Sequence, residues 1–382
     1  MRYRLLGALA ALLALSGCTS MEGGVATGPN GQQPANAKIT AVPAANAKDV
    51  SVAEPVKITV ADGTLTQVAL TSPEGKEVAG KLADDKLSWA STEPLGYGKT
   101  YNWVAKATDA DSRTAELKGA FTTVTPDKQV RTTINPIDDA IVGVGMPISL
   151  KFDSPPKDRA AVQKALTVTT SKGEVEGSWG WLSDRQVDWR PKEYWPADIT
   201  VTVTAKLYGV HYGGGAYGRA DLTTKFSIGR NQVTKIHTPD HQMVVYRNGA
   251  QVASYPSSNG KDADPNLNTP NGTLIIMTQE PIGDFSNPQY GYTNVKKKWS
   301  LRISNHGEYI HENEENHANI GKVNSSHGCV NLFEADAKAY FDSSLIGDPV
   351  EITGSQANMP TTSDVNDWLF SWDQWKNMSA IK

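Results

Sequence analysis

One cysteine, Cys329, stands in the segment Ser325-Ser326-His327-Gly328-Cys329-Val330-Asn331, and a second histidine, His311, lies 18 positions before it (329 minus 311). The other cysteine of the 382 residues is Cys18. A thiol with histidines close by in sequence is the arrangement of a nucleophile and its base. The attacking species is the thiolate, so the thiol needs an imidazole to take its proton or oriented amides beside it. The Ser-His-Gly-Cys run offers both: Gly328 lets backbone approach a substrate carbonyl, and consecutive N–H groups around Cys329 form a candidate oxyanion hole. Two other readings of the same residues stand beside this one. A free cysteine is often a small buried hydrophobe, although the neighbours here are Ser, His, Gly and Asn rather than an apolar run. Cys329 and two histidines also make three zinc ligands, but no Cys-x-x-Cys or His-x-x-x-His spacing supplies a fourth. The acidic stretch His311-Glu312-Asn313-Glu314-Glu315-Asn316-His317 keeps that reading open, while the expectation is no metal and no cofactor.

Residues 231–354 must build the scaffold for this segment. Gln242–Tyr246 and Gln251–Tyr255, joined by Arg247-Asn248-Gly249-Ala250, read as a hairpin. Thr273–Thr278, Ser300–Ile303 and Val350–Thr353 read as strands and Ala335–Phe341 as a short helix. Between two of these strands, Gln279 to Lys298 contains Gly283, Pro288 and Gly291 and reads as a long loop, a candidate lid. Its basic end, Lys296-Lys297-Lys298, reads as a solvated face, with weak attraction to an acidic wall polymer as the alternative.

Upstream, residues 38–124 and 125–230 show short alternating apolar runs separated by turns, such as Val56–Val60, Thr100–Ala105, Thr200–Ala205 and Thr224–Ile228. Regularly spaced strands of this kind predict two immunoglobulin-like sandwiches. Trp89, Trp103 and the cluster Trp179, Trp181, Trp189 and Trp195 are expected as packing residues rather than a glycan platform. Asp158 to Leu166 reads as one helix, and His211 to Gly218 as a flexible hairpin loop. Residues 355–382 form an extension in which Trp368, Trp372 and Trp375 fall on one stripe of a helix. The fold class is therefore mainly β, with a short C-terminal helical extension.

At the other end, residues 1–18 have a basic start, an apolar run from Leu5 to Leu15, and Leu-Ser-Gly before Cys18. This is the pattern of a secretory signal whose cysteine is lipidated. Residues 19–37 are rich in Gly, Pro, Asn and Gln and read as a flexible tether. An exported protein with an unpaired Cys329 carries a liability unless the thiol is used. A net charge of −4 and 20% charged residues give no basic excess suited to nucleic acid.

The pair His311 and Ser326-His327-Gly328-Cys329-Val330-Asn331 resembles the signature of YkuD-type L,D-transpeptidase catalytic domains. Thr269-Pro270-Asn271-Gly272-Thr273, Arg302-Ile303-Ser304 and Trp372-Asp373-Gln374-Trp375 extend the resemblance to the actinobacterial lipoprotein members with two immunoglobulin-like domains. The resemblance implies a peptidoglycan enzyme anchored by lipid outside the cytoplasmic membrane. Cys329 attacks a tetrapeptide stem, D-alanine leaves, and the thioester passes to the amine of a second stem as a 3→3 cross-link. It implies that Cys329, His311 and His327 are catalytic and that the carbonyl of Glu312 orients His311. The amides of His327, Gly328 and Cys329 hold the oxyanion. Tyr292, with Tyr290 as rival, lines the substrate site; Ser326 and Asn331 are placed at that site too, read as side chains that shape the motif loop rather than react. Carbapenems are the implied inhibitors. Glu315 departs from the pattern, standing where a mycobacterial relative has an aromatic residue. A carboxypeptidase using water as acceptor, or a non-catalytic wall-binding lipoprotein, remain the other readings.

Overall fold

The computed structural model describes residues 33–288, 291–362 and 366–382. The expectations for Cys18 and Tyr290 lie outside the described residues, as does the side chain of Tyr292.

Two compact units separate by their internal contacts. Among the described residues, the first comprises 33–50, 55–93 and 100–122. It contains one sheet ordered Lys38–Val42, Lys57–Ala61, Ser88–Ser91, Gly80–Leu82, and a second ordered Thr64–Thr71, Thr100–Thr108, Thr114–Thr122. Period-two alternation drives both: Ile58 and Val60 point inward from one, Tyr101, Trp103 and Ala105 from the other, all buried. Trp89 and Trp103 are core residues.

The second unit begins with another sandwich. Ile141–Val142, Leu222–Ile228, Ile199–Ala205 and Leu166–Thr170 form one sheet, and Gly177–Trp181, Gln186–Pro191, Ile148–Phe152 and Thr132–Asn135 the other. Their facing side chains, including Leu150, Val201, Phe226 and all four of Trp179, Trp181, Trp189 and Trp195, make one hydrophobic core. These indoles are spent on packing. The helix spans only Arg159–Lys164, with the Asp158 side chain accepting from Ala161 N–H at 2.9 Å, because Leu166 already belongs to a strand. The stretch from His211 is not a loose loop. His211–Gly213 and Ala216–Gly218 pair with each other, and the second pairs in parallel with Lys128–Val130.

The remainder packs two sheets around a second core. One is ordered Ala250–Pro256, Gln242–Arg247, Gln232–His237, Pro349–Thr353, Gly272–Ile275; the other is ordered Thr278–Asn287, Tyr292–Arg302, Tyr309–Glu312, Val330–Leu332. Ile236, Val245, Leu301, Ile310, Val330 and Ile352 fill the space between them. Helix Glu334–Ser343 closes one side through Ala337 and Tyr340, whose hydroxyl meets Thr234 Oγ1 at 2.7 Å. The segment expected as a loop lid is instead a long hairpin, Thr278–Asn287 against Tyr292–Arg302. Gly and Pro suggested a loop, but cross-strand pairs such as Lys296 with Asp284 (2.6 Å) favour the ladder.

The C-terminal stripe is not one helix. A single 3-10 turn, Asp367–Leu369, is followed by extended Ser371, which caps helix Trp372–Asn377 through a reciprocal capping box with Gln374. The three indoles still converge, because Arg190 draws them: its guanidinium carbon lies 4.6, 5.4 and 5.1 Å from the rings of Trp368, Trp372 and Trp375. The same guanidinium donates to the carbonyls of Asp367 (3.1 Å) and Phe370 (2.9 Å), so the extension is clamped to the second sandwich.

Beneath this clamp the neighbouring Asp188 and Asp367 are each 1% exposed. Burial, reinforced for Asp188 by the neighbouring Asp367, raises both above the ordinary carboxylate range, Asp367 to about 7. A folded-state value above the unfolded one means stability that is present at low pH and lost as pH rises, for Asp367 from about 4 to about 7 and for Asp188 in the same direction. Asp188→Asn keeps a neutral group there, so melting temperatures should show little difference from wild type at pH 4.5 and a more stable variant at pH 8. Parallel pH profiles for the two proteins would contradict the assignment.

Candidate active site

Cys329 ends the turn that enters strand Val330–Leu332, and His311 lies in the adjacent parallel strand Tyr309–Glu312, opposite Asn331. Both face a cavity of about 300 Å³ that is also lined by Phe285, Lys297, Asn313, Glu315 and His327. The turn needs glycine at 328, where φ is +118°, a backbone region that L side chains rarely adopt. It is strapped from two sides. Thr269 Oγ donates to Gly328 O (2.9 Å) and accepts from Gly260 N–H (2.8 Å), while Ser258 and Asn331 exchange backbone bonds of 3.0 and 2.9 Å. Ser326 Oγ donates to Cys329 O at 2.6 Å and accepts the Gly328 N–H at 3.1 Å. Ser326, expected at the substrate site but read as shaping the motif loop, uses its hydroxyl inside the turn. The Gly328 amide, expected in the oxyanion hole, is engaged by that hydroxyl in this structure.

Asn331 is also engaged within the protein. Its Oδ1 accepts from Asn313 Nδ2 at 2.9 Å and from Asn316 Nδ2 at 3.0 Å, and its Nδ2 therefore faces His311 Nε2 at 3.2 Å. Two donors on the oxygen leave only the amide hydrogens for the imidazole, so Nε2 must present its lone pair. The ring's proton then sits on Nδ1 and is donated to the Glu312 carbonyl at 2.5 Å. Beyond Asn313, Lys297 Nζ donates to that residue's Oδ1 at 2.8 Å. An ammonium that only donates at one end, and a carbonyl that only accepts at the other, fix the direction of every bond between them.

The electrostatics match a neutral resting pair. Burial pulls His311 down to about 4, against the opposing effect of the Glu312 carbonyl, and the nearby Lys297 charge lowers it further. Burial of its surroundings pushes the half-buried Cys329 thiol up to about 12, although the Tyr309 backbone N–H acts to lower it. The thiol itself points at Gly307 O, 3.7 Å away. A neutral imidazole whose unprotonated Nε2 is held by the Asn331 amide at 3.2 Å, lining one cavity with a protonated thiol, suits general-base acyl transfer once that amide gives way.

Residues 231–352 match the L,D-transpeptidase catalytic domain family, and residues 47–211 match a bacterial Ig domain family. L,D-transpeptidase 5 of Mycobacterium tuberculosis is 41% identical over 90% of this chain and 77% of its own length. The chain belongs to the L,D-transpeptidases. L,D-transpeptidase 2 of the same species is 35% identical over 90% of this chain and 85% of its own length. A solved LD transpeptidase in complex with imipenem aligns with a TM-score of 0.50 at 28% identity, covering 60% of this chain and all of that one. The architecture of this L,D-transpeptidase is thus mainly β, with Ig-like domains before the catalytic domain and a short C-terminal helix.

The structure brings His311, Ser326, His327, Cys329 and Asn331 to one cavity, while Glu312 holds its imidazole from behind. Among the described residues no group of three or more His, Cys, Asp or Glu side chains has metal-holding geometry. Lys297, Asn313, Asn316 and Phe285 were not expected there. Phe285, whose ring centroid is 5.0 Å from that of His311, was concealed by the loop reading of its hairpin. Alternation along Asp284–Asn287 and Val295–Lys297 is the signal that points to these positions.

Asn331→Asp places a carboxylate oxygen where Nε2 now meets an N–H. The opposite charge favours imidazolium, so the His311 pKa should rise well above about 4. Nitrogen-15 spectra of the labelled imidazole should show a neutral Nδ1–H ring from pH 5 to 9 in wild type and a protonated ring near neutrality in the variant. Acylation should fall by at least about tenfold, the base being already occupied. An unshifted imidazole titration would contradict the hydrogen-bond assignment.

Proposed function

We propose that this L,D-transpeptidase joins peptidoglycan stem peptides by 3→3 cross-links through a thioester on Cys329. The observation that carries the reading is that Cys329 and His311 line one cavity, with His311 Nδ1 against the Glu312 carbonyl and Nε2 against the Asn331 amide. The S–H swings from the Gly307 carbonyl toward Nε2, which gives up its Asn331 amide bond, and the proton moves to His311 as sulfur attacks the carbonyl of the donor's third residue. A resting thiol near 12 and an imidazole near 4 disfavour transfer before attack, so proton transfer and S–C bond formation proceed together. The Cys329 and His327 amides stabilise the oxyanion, each such donor typically contributing about 3 kcal/mol. As the C–N bond breaks, His311 returns the proton to the departing D-alanine amine. The acceptor stem's amine then attacks the thioester; its proton passes through His311 to the cysteine sulfur, and the thiol is regenerated. His327, exposed at the cavity mouth, and Tyr292 serve substrate positioning.

Carbapenems should acylate the same sulfur, as their ring carbonyl presents an equivalent electrophile. Cys18 carries a lipid that holds the protein at the outer face of the cytoplasmic membrane, and residues 19–37 act as its tether; the Leu-Ser-Gly-Cys sequence supports this. Incubation of residues 33–382 with disaccharide-tetrapeptide, followed by mass spectrometry, should yield a cross-linked dimer with loss of D-alanine. Cys329→Ser should yield none. Tripeptide without dimer would make water the acceptor, and equal turnover by the serine variant would remove Cys329 from the chemistry.

A further inference from the structure

Three consecutive lysines leave the strand Tyr292–Arg302, and they do different things. Lys296 pairs with Asp284 at 2.6 Å and Lys298 with Glu334 at 2.8 Å, each with about half of its side chain exposed. Lys297, on the alternate face, turns into the cavity with 12% of its side chain exposed. Its ammonium meets one neutral acceptor, Asn313 Oδ1, at 2.8 Å, and one carboxylate, Glu315 Oε2, at 3.3 Å. The Glu315 side chain is 85% exposed. A largely buried cation needs a counter-charge, yet an ion pair with so exposed a carboxylate is worth little. Glu315 is therefore an exchangeable partner for a cation that lines the reactive cavity.

We propose that Lys297 anchors a substrate carboxylate, and that Glu315 occupies this place only while the cavity is empty. The inference rests on the transpeptidase reading. In that reaction the donor's leaving residue carries a free carboxylate, whose carbon is three bonds from the scissile carbonyl carbon and so within roughly 4 Å of it. A cavity of about 300 Å³ that holds Cys329 at one point of its lining and Lys297 at another accommodates both ends of that residue. Lysine recognises such a group as a compact charge with several donors. The chemical class required is an acyl donor ending in a carboxylate, in preference to one ending in an amide.

The two members of the ion pair should then act in opposite directions. Lys297→Met should lower kcat/KM for a tetrapeptide ending in D-alanine at least about tenfold, the usual worth of a charge-assisted hydrogen bond. Loss of the ammonium also frees the chain behind His311 and slows both peptides, so the test is the ratio: Lys297→Met should cut the acid-over-amide ratio of kcat/KM at least about tenfold, and Lys297→Arg should recover part of that preference. Glu315→Gln, by removing the competing carboxylate, should leave binding of the acid peptide equal to or tighter than wild type. Dissociation constants for both peptides in a Cys329→Ala background read the preference without turnover, and so decide the role of Lys297 even if the transpeptidase reading fails. Equal losses for acid and amide in Lys297→Met would assign the lysine only to the hydrogen-bond chain behind His311 and overturn the proposal. So would a Glu315→Gln variant as impaired on the acid peptide as Lys297→Met, or a wild-type cavity that binds acid and amide alike.

Discussion

The site depends on the direction of one run of hydrogen bonds. Lys297, Asn313, Asn331, His311 and the Glu312 carbonyl form a chain in which each group donates to the next or accepts from it in only one sense. Amide side chains have an oxygen and a nitrogen of similar shape, and imidazole has two tautomers, so an isolated member of this chain would be free to turn over. Together they are not. A donor-only ammonium and an acceptor-only carbonyl at the two ends leave a single arrangement, and in it Nε2 of His311 is unprotonated. Asn316 fixes Asn331 Oδ1 a second time and is held in turn by Asn319, Ser325 and Ser258. The result is a polar network whose members satisfy one another in a region largely closed to water.

The surrounding fold supplies what that network needs. Parallel pairing of Tyr309–Glu312 with Val330–Leu332 sets His311 against Asn331 by register alone. Ile310, Val330 and Leu332 point to the opposite face of the same strands and anchor them in the core between the two sheets. A one-residue slip would exchange these faces, burying polar side chains and exposing aliphatic ones, so the hydrophobic core also enforces the register of the site. The same burial deprives His311 of solvation and keeps it neutral. Packing and reactivity are consequences of one arrangement.

Much of this was legible in the sequence. Cys329 and His311 stand out because few residue types do acyl transfer, and the glycine between His327 and Cys329 marks a turn that only glycine tolerates. Strand alternation revealed the sandwiches and their buried tryptophans. Three features were not legible. The Thr278–Arg302 hairpin carries glycines and a proline that suggest a loop, while its stability comes from cross-strand pairing that no local window contains. The C-terminal tryptophans have helical spacing, yet Ser371 interrupts them, and it is Arg190, about 180 residues away in sequence, that gathers the rings. Lys297 looked like one of three solvated lysines; which of them turns inward is decided by the strand's face. Ser326 and Asn331 read as loop-shaping side chains, but their partners did not follow, since hydrogen-bond direction is a property of the assembled network.

The central claim is that the resting enzyme holds a neutral thiol and a neutral imidazole in one cavity and ionises them only during attack. The most direct measurement is the pH dependence of thiolate absorbance near 240 nm, taken as the difference between wild type and Cys329→Ala. The account predicts no thiolate signal through neutral pH and a rise only in strongly alkaline solution, toward the value of about 12. A thiolate already present at pH 6 to 7, with His311 protonated, would contradict it and replace the neutral pair with a preformed ion pair.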